Sequence, residues 1–402
     1  MSRWLFLIKF SWRNLGRQPL RTLIMALGLC FGTGYIIFAL NFSASGSKEI
    51  VNDFLAQYTG DHQLVAPGYY PDNDKKKFDP QKTLLESNFE NFDRTRYTQR
   101  ITLPVFLSTP KKTQGTLLTG LVPSQELRLS NVTKALSQGR FLSDEGRNEL
   151  LLGEKLARKI GVTLGGEVAG ISQGLDGSTA VDLFTVVGLM NFGGGDMEEY
   201  VAFTSLASTQ EFGVFPQGGF HQWVSFGTFE SKVPKAPEGT ELVPWDVILP
   251  EINGSIRFID IFTWIVAVII VVVISLGMGN TLMITFLERQ KEFYSLNVIG
   301  ARSSWIAVSL AFEVLFLGII GIGTGVILGF LVTTLFHYYP ISLKLFTGGK
   351  AIMMGGMAII PKIRLSHYSH YYWQAPLLVF SFLSLSLILP IHRIIQRSRR
   401  AD

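Results

Sequence analysis

The sequence predicts an α-helical membrane protein with four transmembrane helices and a mixed α/β extracytoplasmic domain between the first and second of them. Hydrophobic residues make up 47% of the 402-residue chain and charged residues 17%. An ordinary soluble domain has roughly 25% charged residues, so the composition favours a membrane protein. Four apolar segments reach the length of about 20 residues that spans a bilayer core. These predicted spans are 19–42, 258–287, 304–336 and 373–392.

The distribution of cations predicts the orientation of these spans. Arginine and lysine cluster near the N-terminus, in the segment 288–303 and in the basic tail 393–402. Because cytoplasmic loops are enriched in cations, we expect these three segments to face the cytosol. Four cations in the loop 337–372 argue mildly against this orientation: Lys344, Lys350, Lys362 and Arg364. The distribution of cations thus predicts the membrane topology of the chain. It does not predict nucleic-acid binding, because the sequence contains no patch that combines aromatic and basic residues.

Residues 1–18 predict an amphipathic helix at the cytosolic surface of the membrane. Tryptophan and aliphatic residues are interspersed with arginine and lysine, which is typical of a helix that lies in the interface. Pro19 would separate this helix from the first span as an elbow. After that span, residues 43–257 contain short β-rich runs and two helix candidates, and they are numerous enough for a core of their own. The sequence therefore predicts an α/β domain at 43–257.

Glycine recurs every four residues on two of the predicted spans. Small residues at this spacing form a flat stripe that another helix can approach closely. The sequence leaves open whether the approaching helix belongs to the same chain or to a second subunit. The stripe residues are Gly28 and Gly32 on the first span and Gly321, Gly325 and Gly329 on the third.

Glu313 lies inside the third span. A carboxylate in hydrocarbon costs several kcal/mol unless it is paired or close to water, so Glu313 is a candidate functional residue. The alternative is that it lies near the cytosolic interface and simply pairs or snorkels.

Motifs for catalysis or metal binding are weak. Residues 170–174 match the G-x-S-x-G pattern around Ser172, but the glycines and aspartate that follow would break the helix of a nucleophile elbow. His367 and His370 lack a third ligand nearby and fit an interfacial aromatic belt. The sequence contains no G-x-x-x-x-G-K-[ST] phosphate loop. The chain is therefore predicted to have no catalytic residue and no metal site, and any ATP must be bound by another polypeptide.

The order of these segments resembles that of permeases of the MacB/LolC/FtsX family of ABC transporters. The elbow at 12–22 resembles the family's entry into the first span, and the segment 288–301 resembles its coupling helix. In the outer domain, residues 152–165 and 184–188 are similar to the lipoprotein-releasing branch. The most specific part of the resemblance is the topology, which has one span, then a large outer domain, then three further spans.

The resemblance implies roles for two groups of residues. The coupling helix would dock in a groove of the ATPase, with polar contacts and two apolar side chains buried there. Its residues would be Glu288, Arg289, Lys291, Glu292, Phe293, Leu296, Gly300 and Ala301. The elbow and interface residues would be Trp12, Arg13, Asn14, Pro19 and Arg21.

The resemblance also implies a function and a set of partners. The chain would relay the motion of an ATPase dimer, which binds ATP-Mg, to an outer domain that extracts lipoprotein or a lipid-like substrate. A second permease copy or a paralogue would complete the complex in a bacterial inner membrane, with a periplasmic carrier or adaptor as a further partner. Two alternatives stay open: a non-transporting relay that controls a cell-wall hydrolase, and a drug or peptide efflux permease.

Overall fold

The computed structural model forms two compact units. The helical unit comprises Met1–Ser47, Arg257–Ile341 and Lys362–Asp402, and the sheet unit comprises Lys48–Ile256 and Ser342–Pro361. The structure describes residues 3–55, 59–71, 78–89, 95–192, 196–226, 236–289, 295, 303–342, 352–354, 357–359, 362–388 and 391–392.

Long helices dominate the helical unit, and short ones accompany the sheet. The described helices are α1 (Arg3–Arg17), α2 (Pro19–Phe54), α3 (Pro123–Leu129), α4 (Glu154–Ile160), α5 (Leu206–Phe212), α6 (Trp245–Ile248), α7 (Pro250–Glu288), α8 (Ser303–Tyr338) and α9 (Tyr371–Ser386). Pro19 is the first residue of α2, a position that needs no backbone N–H, so the predicted elbow forms there.

Three helices are long and apolar enough to cross a membrane. By length and composition they are Pro19–Asn52, Pro250–Thr285 and Ala307–Tyr338, which match the first three predicted spans. Helix α9 has 16 residues, fewer than the about 20 that a bilayer core requires. The fourth span, 373–392, therefore stays a prediction.

The glycine stripe of α8 packs against α2 of the same chain. A Cβ atom at Gly325 would lie 2.7 Å from the carbonyl oxygen of Cys30 and from Thr33 Cβ. At Gly321 it would lie 2.6 Å from Leu29 Cβ, and at Gly329 2.9 Å from Ile37 Cβ. These contacts fit the first alternative, packing inside one chain, because only glycine allows the two helices to approach so closely.

The glycine stripe on α2 does not make close backbone contacts of this kind. A Cβ atom at Gly32 would meet only the flexible end of Ile274 on α7, and at Gly28 it would meet nothing within 4 Å. Packing by glycine is therefore a property of the α8 stripe rather than of the α2 stripe.

A ten-stranded sheet forms the centre of the sheet unit, in the order β12-β1-β11-β3-β4-β9-β6-β8-β5, with β7 pairing β3 and β8. The pairs β4–β9 and β6–β8 are parallel, and the other pairs are antiparallel. The strands of this sheet are β1 (His62–Val65), β3 (Tyr97–Ser108), β4 (Thr113–Leu121), β5 (Leu136–Gly139), β6 (Glu149–Gly153), β7 (Glu167–Gln173), β8 (Thr179–Met190), β9 (Val201–Ser205), β11 (Gln222–Ser225) and β12 (Glu241–Pro244). Six further described strands form two-stranded sheets: β2 (Leu84–Leu85) with β10 (Gly219–Phe220), β13 (Ile341–Ser342) with β16 (Lys362–Ile363), and β14 (Ile352–Met354) with β15 (Met357–Ile359). The predicted mixed α/β domain is confirmed.

The core of the sheet unit is aromatic and aliphatic, with a few buried polar groups that are hydrogen-bonded. Trp223, Phe220 and Phe184 are fully buried in it. Beside this core, the imidazole of His221 accepts a hydrogen bond at Nδ1 from the Thr102 backbone N–H, at 3.1 Å. Its Nε2 lies 2.9 Å from the Pro80 carbonyl oxygen, so the neutral ring with its proton on Nε2 satisfies both partners.

We expect His221 to make the sheet unit less stable as the pH falls from 6.5 towards 4. Burial lowers the pKa of His221 from 6.5 to about 4. Within that window the unfolded chain binds a proton that the folded chain does not, so the free energy of unfolding falls with pH. The loss reaches up to about 3 kcal/mol and is absent above the unfolded pKa.

Thermal unfolding of the full chain, followed by the total tryptophan fluorescence, to which buried Trp223 contributes, measures this effect. The His221→Gln variant is the reference, because it keeps every other titrating group. An identical pH dependence in both proteins would contradict the prediction.

Candidate functional site

Polar and charged side chains meet at one end of the helical unit, where α1, α2, α7 and α8 come together. We call this group the polar cluster. It consists of Asn14 on α1, Arg21 on α2, Glu288 at the end of α7, Arg289 directly after it, and Glu313 on α8. Every one of them belongs to the residues predicted as sites from the sequence.

Glu313 joins three parts of the chain through one carboxylate oxygen. Its Oε1 accepts a hydrogen bond from Asn14 Nδ2 at 2.8 Å and another from Arg289 Nη1 at 3.1 Å. The Glu313 and Arg289 side chains are only 9% and 12% exposed, so this ion pair is almost buried. A buried pair with this geometry is costly to break, because losing one partner leaves the other charge desolvated.

Arg21 connects the start of α2 with the end of α7. Its Nη2 donates to the carbonyl oxygen of Thr281 at 2.6 Å, and its Nη1 donates to Glu288 Oε2 at 3.0 Å. A cation near the last turn of a helix is favoured by the helix dipole. The carboxylate of Glu288 is half exposed, so this second ion pair contributes little stability compared with that of Glu313.

Further contacts hold α1 in a fixed orientation on α8. The Ser11 hydroxyl donates to the carbonyl oxygen of Ser309 at 3.0 Å. Trp12 packs edge-on against Phe316 with ring centroids 5.3 Å apart. At the elbow, the Thr22 hydroxyl donates to the carbonyl oxygen of Leu15 at 2.9 Å, which ties α2 back to α1. The elbow is therefore a packed joint.

Two of the predicted coupling residues lie next to each other among the described residues. Glu288 and Arg289 lie in the polar cluster, and exposed Arg13 lies on α1 outside it. The remaining predicted coupling residues lie outside the described residues: Lys291, Glu292, Phe293, Leu296, Gly300 and Ala301.

The sequence marked Glu313, Asn14 and Arg289 as separate candidates but did not indicate that they contact one another. Helices α7 and α8 are consecutive spans joined by a short segment, so the residue just after the first lies near the first turns of the second. That proximity could have indicated Arg289 as the partner. Nothing in the sequence indicated the contact of Asn14 with Glu313, or that of Ser11 with Ser309, because each joins residues far apart along the chain.

A second feature is an apolar groove on the sheet unit, with a volume of about 670 Å³. It lies along β3, β4 and β7, and its walls include the exposed side chains of Phe106, Leu117 and Ile171. None of the described lining residues is charged. A groove of this size and character is suited to an uncharged, apolar part of a ligand.

Two sequence motifs are placed by the structure. Ser172 lies within strand β7, and its hydroxyl donates to the carbonyl oxygen of Pro104 at 2.6 Å, so it does not stand at a strand-to-helix turn. His367 lies 2.7 Å (Nδ1) from the Tyr372 hydroxyl and 3.2 Å (Nε2) from the Thr334 hydroxyl, next to the ring of Phe330. The hydroxyl of Ser172 and the imidazole of His367 are therefore both engaged in hydrogen bonds within the chain.

Two family models together match most of the chain. The first, a MacB-like periplasmic core domain, matches residues 22–226. The second, an FtsX-like permease C-terminal domain, matches residues 264–399. No curated protein matches the chain significantly.

Two solved structures show a weaker likeness. The extracellular domain of the noncanonic ABC-type transporter YknZ from Gram-positive bacteria is 14% identical, with 42% of this chain and 83% of that chain covered and a TM-score of 0.27. A domain of a provisionally assigned permease protein from Porphyromonas gingivalis is 12% identical, with coverages of 42% and 75% and a TM-score of 0.25. TM-scores this low do not establish that the chain shares the fold of either structure.

Proposed function

The chain belongs to the MacB/FtsX family of permeases, the transmembrane components of ABC transporters, and on this basis we propose that it carries the motion of a separate cytosolic ATPase to its extracytoplasmic domain. The polar cluster is the observation that carries this proposal. It includes Glu288 and Arg289, the first two residues of the segment 288–303, which is the part of the chain that would contact the ATPase.

In this proposal, the ATPase pushes on the segment 288–303 when it binds ATP-Mg. Arg289 is the second residue of that segment, and its ion pair with Glu313 transfers the displacement to α8. Asn14 shares the same carboxylate oxygen, so α1 moves with them. One buried carboxylate thus makes three elements respond as one.

The long helices are suited to carry such a displacement. Helix α2 is continuous over 36 residues and α7 over 39 residues, well beyond the about 20 that a bilayer core requires. The close packing of α8 on α2 at Gly321, Gly325 and Gly329 lets a movement of one helix shift the other, because packed interiors deform little.

The substrate in this proposal is a lipoprotein or another amphipathic molecule. The uncharged groove of about 670 Å³ supports it, since an apolar ligand part finds a matching surface there. It also favours transport over a pure signal relay, which needs no such surface. We further propose a location in the bacterial inner membrane, four spans, a second permease copy or a paralogue, and a periplasmic carrier or adaptor.

The Glu292→Ala/Phe293→Ala double variant tests the coupling segment. We expect it to insert into the membrane normally but to lose co-purification with the ATPase and ATP-driven substrate release, because one polar and one apolar contact are removed together. The matched control is Glu251→Ala/Phe258→Ala, which changes the same residue types near the opposite end of α7. Release at the unaltered rate by the first variant would refute the proposal.

A further inference from the structure

A short segment crosses α2 and α8 in the part of the helical unit farthest along both helices from the polar cluster. It consists of residues 362–370, which lead into α9, and we call it the strap. Two of its side chains, Ile363 and Leu365, are buried. The polar cluster lies at residue 21 of α2 and residue 313 of α8, whereas the strap meets residues 41–45 and 334–337. The strap therefore joins the two helices a second time.

Two buried polar side chains of α2 hold the strap on that helix. Asn41 accepts a hydrogen bond at Oδ1 from the Tyr368 backbone N–H at 2.9 Å. One turn further along, the Ser45 hydroxyl accepts a hydrogen bond from the Ser366 backbone N–H at 2.8 Å. Neither an amide nor a hydroxyl titrates near neutral pH, so the contact of the strap with α2 does not depend on pH.

Two histidines hold the strap on α8. On the helix, His337 Nδ1 lies 2.7 Å from the Leu365 carbonyl oxygen, so this nitrogen carries a proton and donates it. On the strap, the ring of His367 packs on Phe330 with centroids 4.8 Å apart. The centroids of the two imidazoles are 6.4 Å apart. The contact of the strap with α8 thus depends on groups whose charge changes close to physiological pH.

The hydrogen bonds of His367 require its neutral form. The Thr334 hydroxyl donates to the Phe330 carbonyl oxygen at 2.8 Å, so it accepts from the Nε2–H of His367 at 3.2 Å. The Nδ1 atom then carries no proton and accepts from the Tyr372 hydroxyl at 2.7 Å. A second proton would occupy Nδ1, so the ring would lose this acceptor and gain a positive charge close to His337.

The surroundings do not compensate such a charge. Burial of the ring and, to a smaller extent, the charge of His337 lower the pKa of His367 from 6.5, and no carboxylate among the described residues acts on it. Tyr372 and Tyr338 also face the two imidazoles, but a phenol stays neutral near pH 7. The charged side chains of the strap itself are exposed cations: Lys362 and Arg364.

We propose that the strap is a pH-sensitive fastening, which joins α2 to α8 at neutral pH and releases α8 under acidic conditions. The attached strap favours neutral His367, whereas detachment returns the ring to water, where its pKa is about 6.5. The attachment is therefore unaffected above pH 6.5 and weakens as the pH falls below that value. In the predicted orientation the strap lies on the outer side of the membrane, so it responds to external pH. The fastening concerns the helical unit alone and does not rest on the proposed coupling function.

Distances between spin labels on the strap and on α8 test this proposal. Nitroxides are attached to Arg364→Cys and Leu335→Cys, two exposed positions, in a Cys30→Ala background. The full-length chain is measured in lipid nanodiscs by electron paramagnetic resonance at about pH 7.5 and about pH 5, on either side of the ordinary histidine pKa. We expect one narrow distance distribution at the higher pH and an additional longer, broader one at the lower pH. The ratio of the two populations should change by up to about tenfold for each unit by which attachment lowers the pKa of His367.

Three variants of single histidines make the result specific. His367→Gln removes the titrating group and should remove the pH response. His337→Gln keeps a donor for the Leu365 carbonyl oxygen but removes the neighbouring imidazole, so it should reduce the response. His370→Gln is the matched control, because His370 lies on the same strap but packs on Tyr371 of α9.

The control variant should respond to pH as the unaltered chain does. The proposal is overturned by identical distance distributions at both pH values in the unaltered chain. It is equally overturned by a response that keeps its full size in His367→Gln, or by one that His370→Gln also removes.

Discussion

The Glu313→Ala variant is expected to lose ATP-driven substrate release and to be markedly less stable than the unaltered chain. The substitution removes the carboxylate that Asn14 and Arg289 share, while Arg289 stays nearly buried. Removing one partner of a buried pair costs about 3–5 kcal/mol. The rate of substrate release should fall by more than the lower stability alone explains. The same substitution also removes the contact through which the segment 288–303 and α1 are connected.

Two further variants separate charge from hydrogen bonding. Glu313→Gln retains an oxygen that can accept from Asn14 but loses the negative charge, so we expect intermediate stability and partial coupling. Glu199→Gln is the matched control, since it alters a partly exposed carboxylate that pairs with Lys159 outside the polar cluster, and such pairs contribute roughly 0–1 kcal/mol. Thermal unfolding in detergent and ATPase activity of the assembled complex are the measurements. Full activity of Glu313→Ala at normal stability would contradict the role assigned to the cluster.

The Glu126→Ala variant is expected to destabilise the sheet unit by about 3–5 kcal/mol. Arg100 Nε and Nη2 donate to the two oxygens of Glu126 at 2.7 and 3.0 Å, and both side chains are buried. The guanidinium also lies 5.3 Å from the centre of the Phe226 ring. Removing the carboxylate leaves the buried cation of Arg100, between β3 and α3, without the negative charge of Glu126.

A double variant tests whether the ion pair itself or the orphaned charge dominates this loss. Arg100→Met/Glu126→Leu removes both charges at similar volume, and we expect it to be clearly more stable than Glu126→Ala. Lys159→Ala breaks the more exposed pair with Glu199 and should change the free energy of unfolding by less than about 1 kcal/mol. Equal losses from Glu126→Ala and Lys159→Ala in denaturant titrations would contradict this ranking.

The sequence predicted the features that depend on local composition. Apolar runs predicted the first three long helices, since length and hydropathy alone decide them, and Pro19 predicted the elbow. The charge of Glu313 within an apolar run marked it as a candidate, and the structure shows it paired.

Features that depend on distant residues could not be predicted in this way. The contact between Asn14 and Glu313, and the parallel pairing of β4 with β9, join segments that only the folded chain brings together. The glycine spacing on α8 was compatible with two kinds of neighbour, and only the position of α2 distinguishes them.

The central claim is that the segment 288–303 faces the cytosol, where an ATPase can act on it. A Ser295→Cys variant in a Cys30→Ala background provides one thiol in that segment, at an exposed position. We predict that a membrane-impermeant maleimide labels it in inverted membrane vesicles and leaves it unlabelled in intact cells. Labelling from outside intact, unpermeabilised cells would contradict the account.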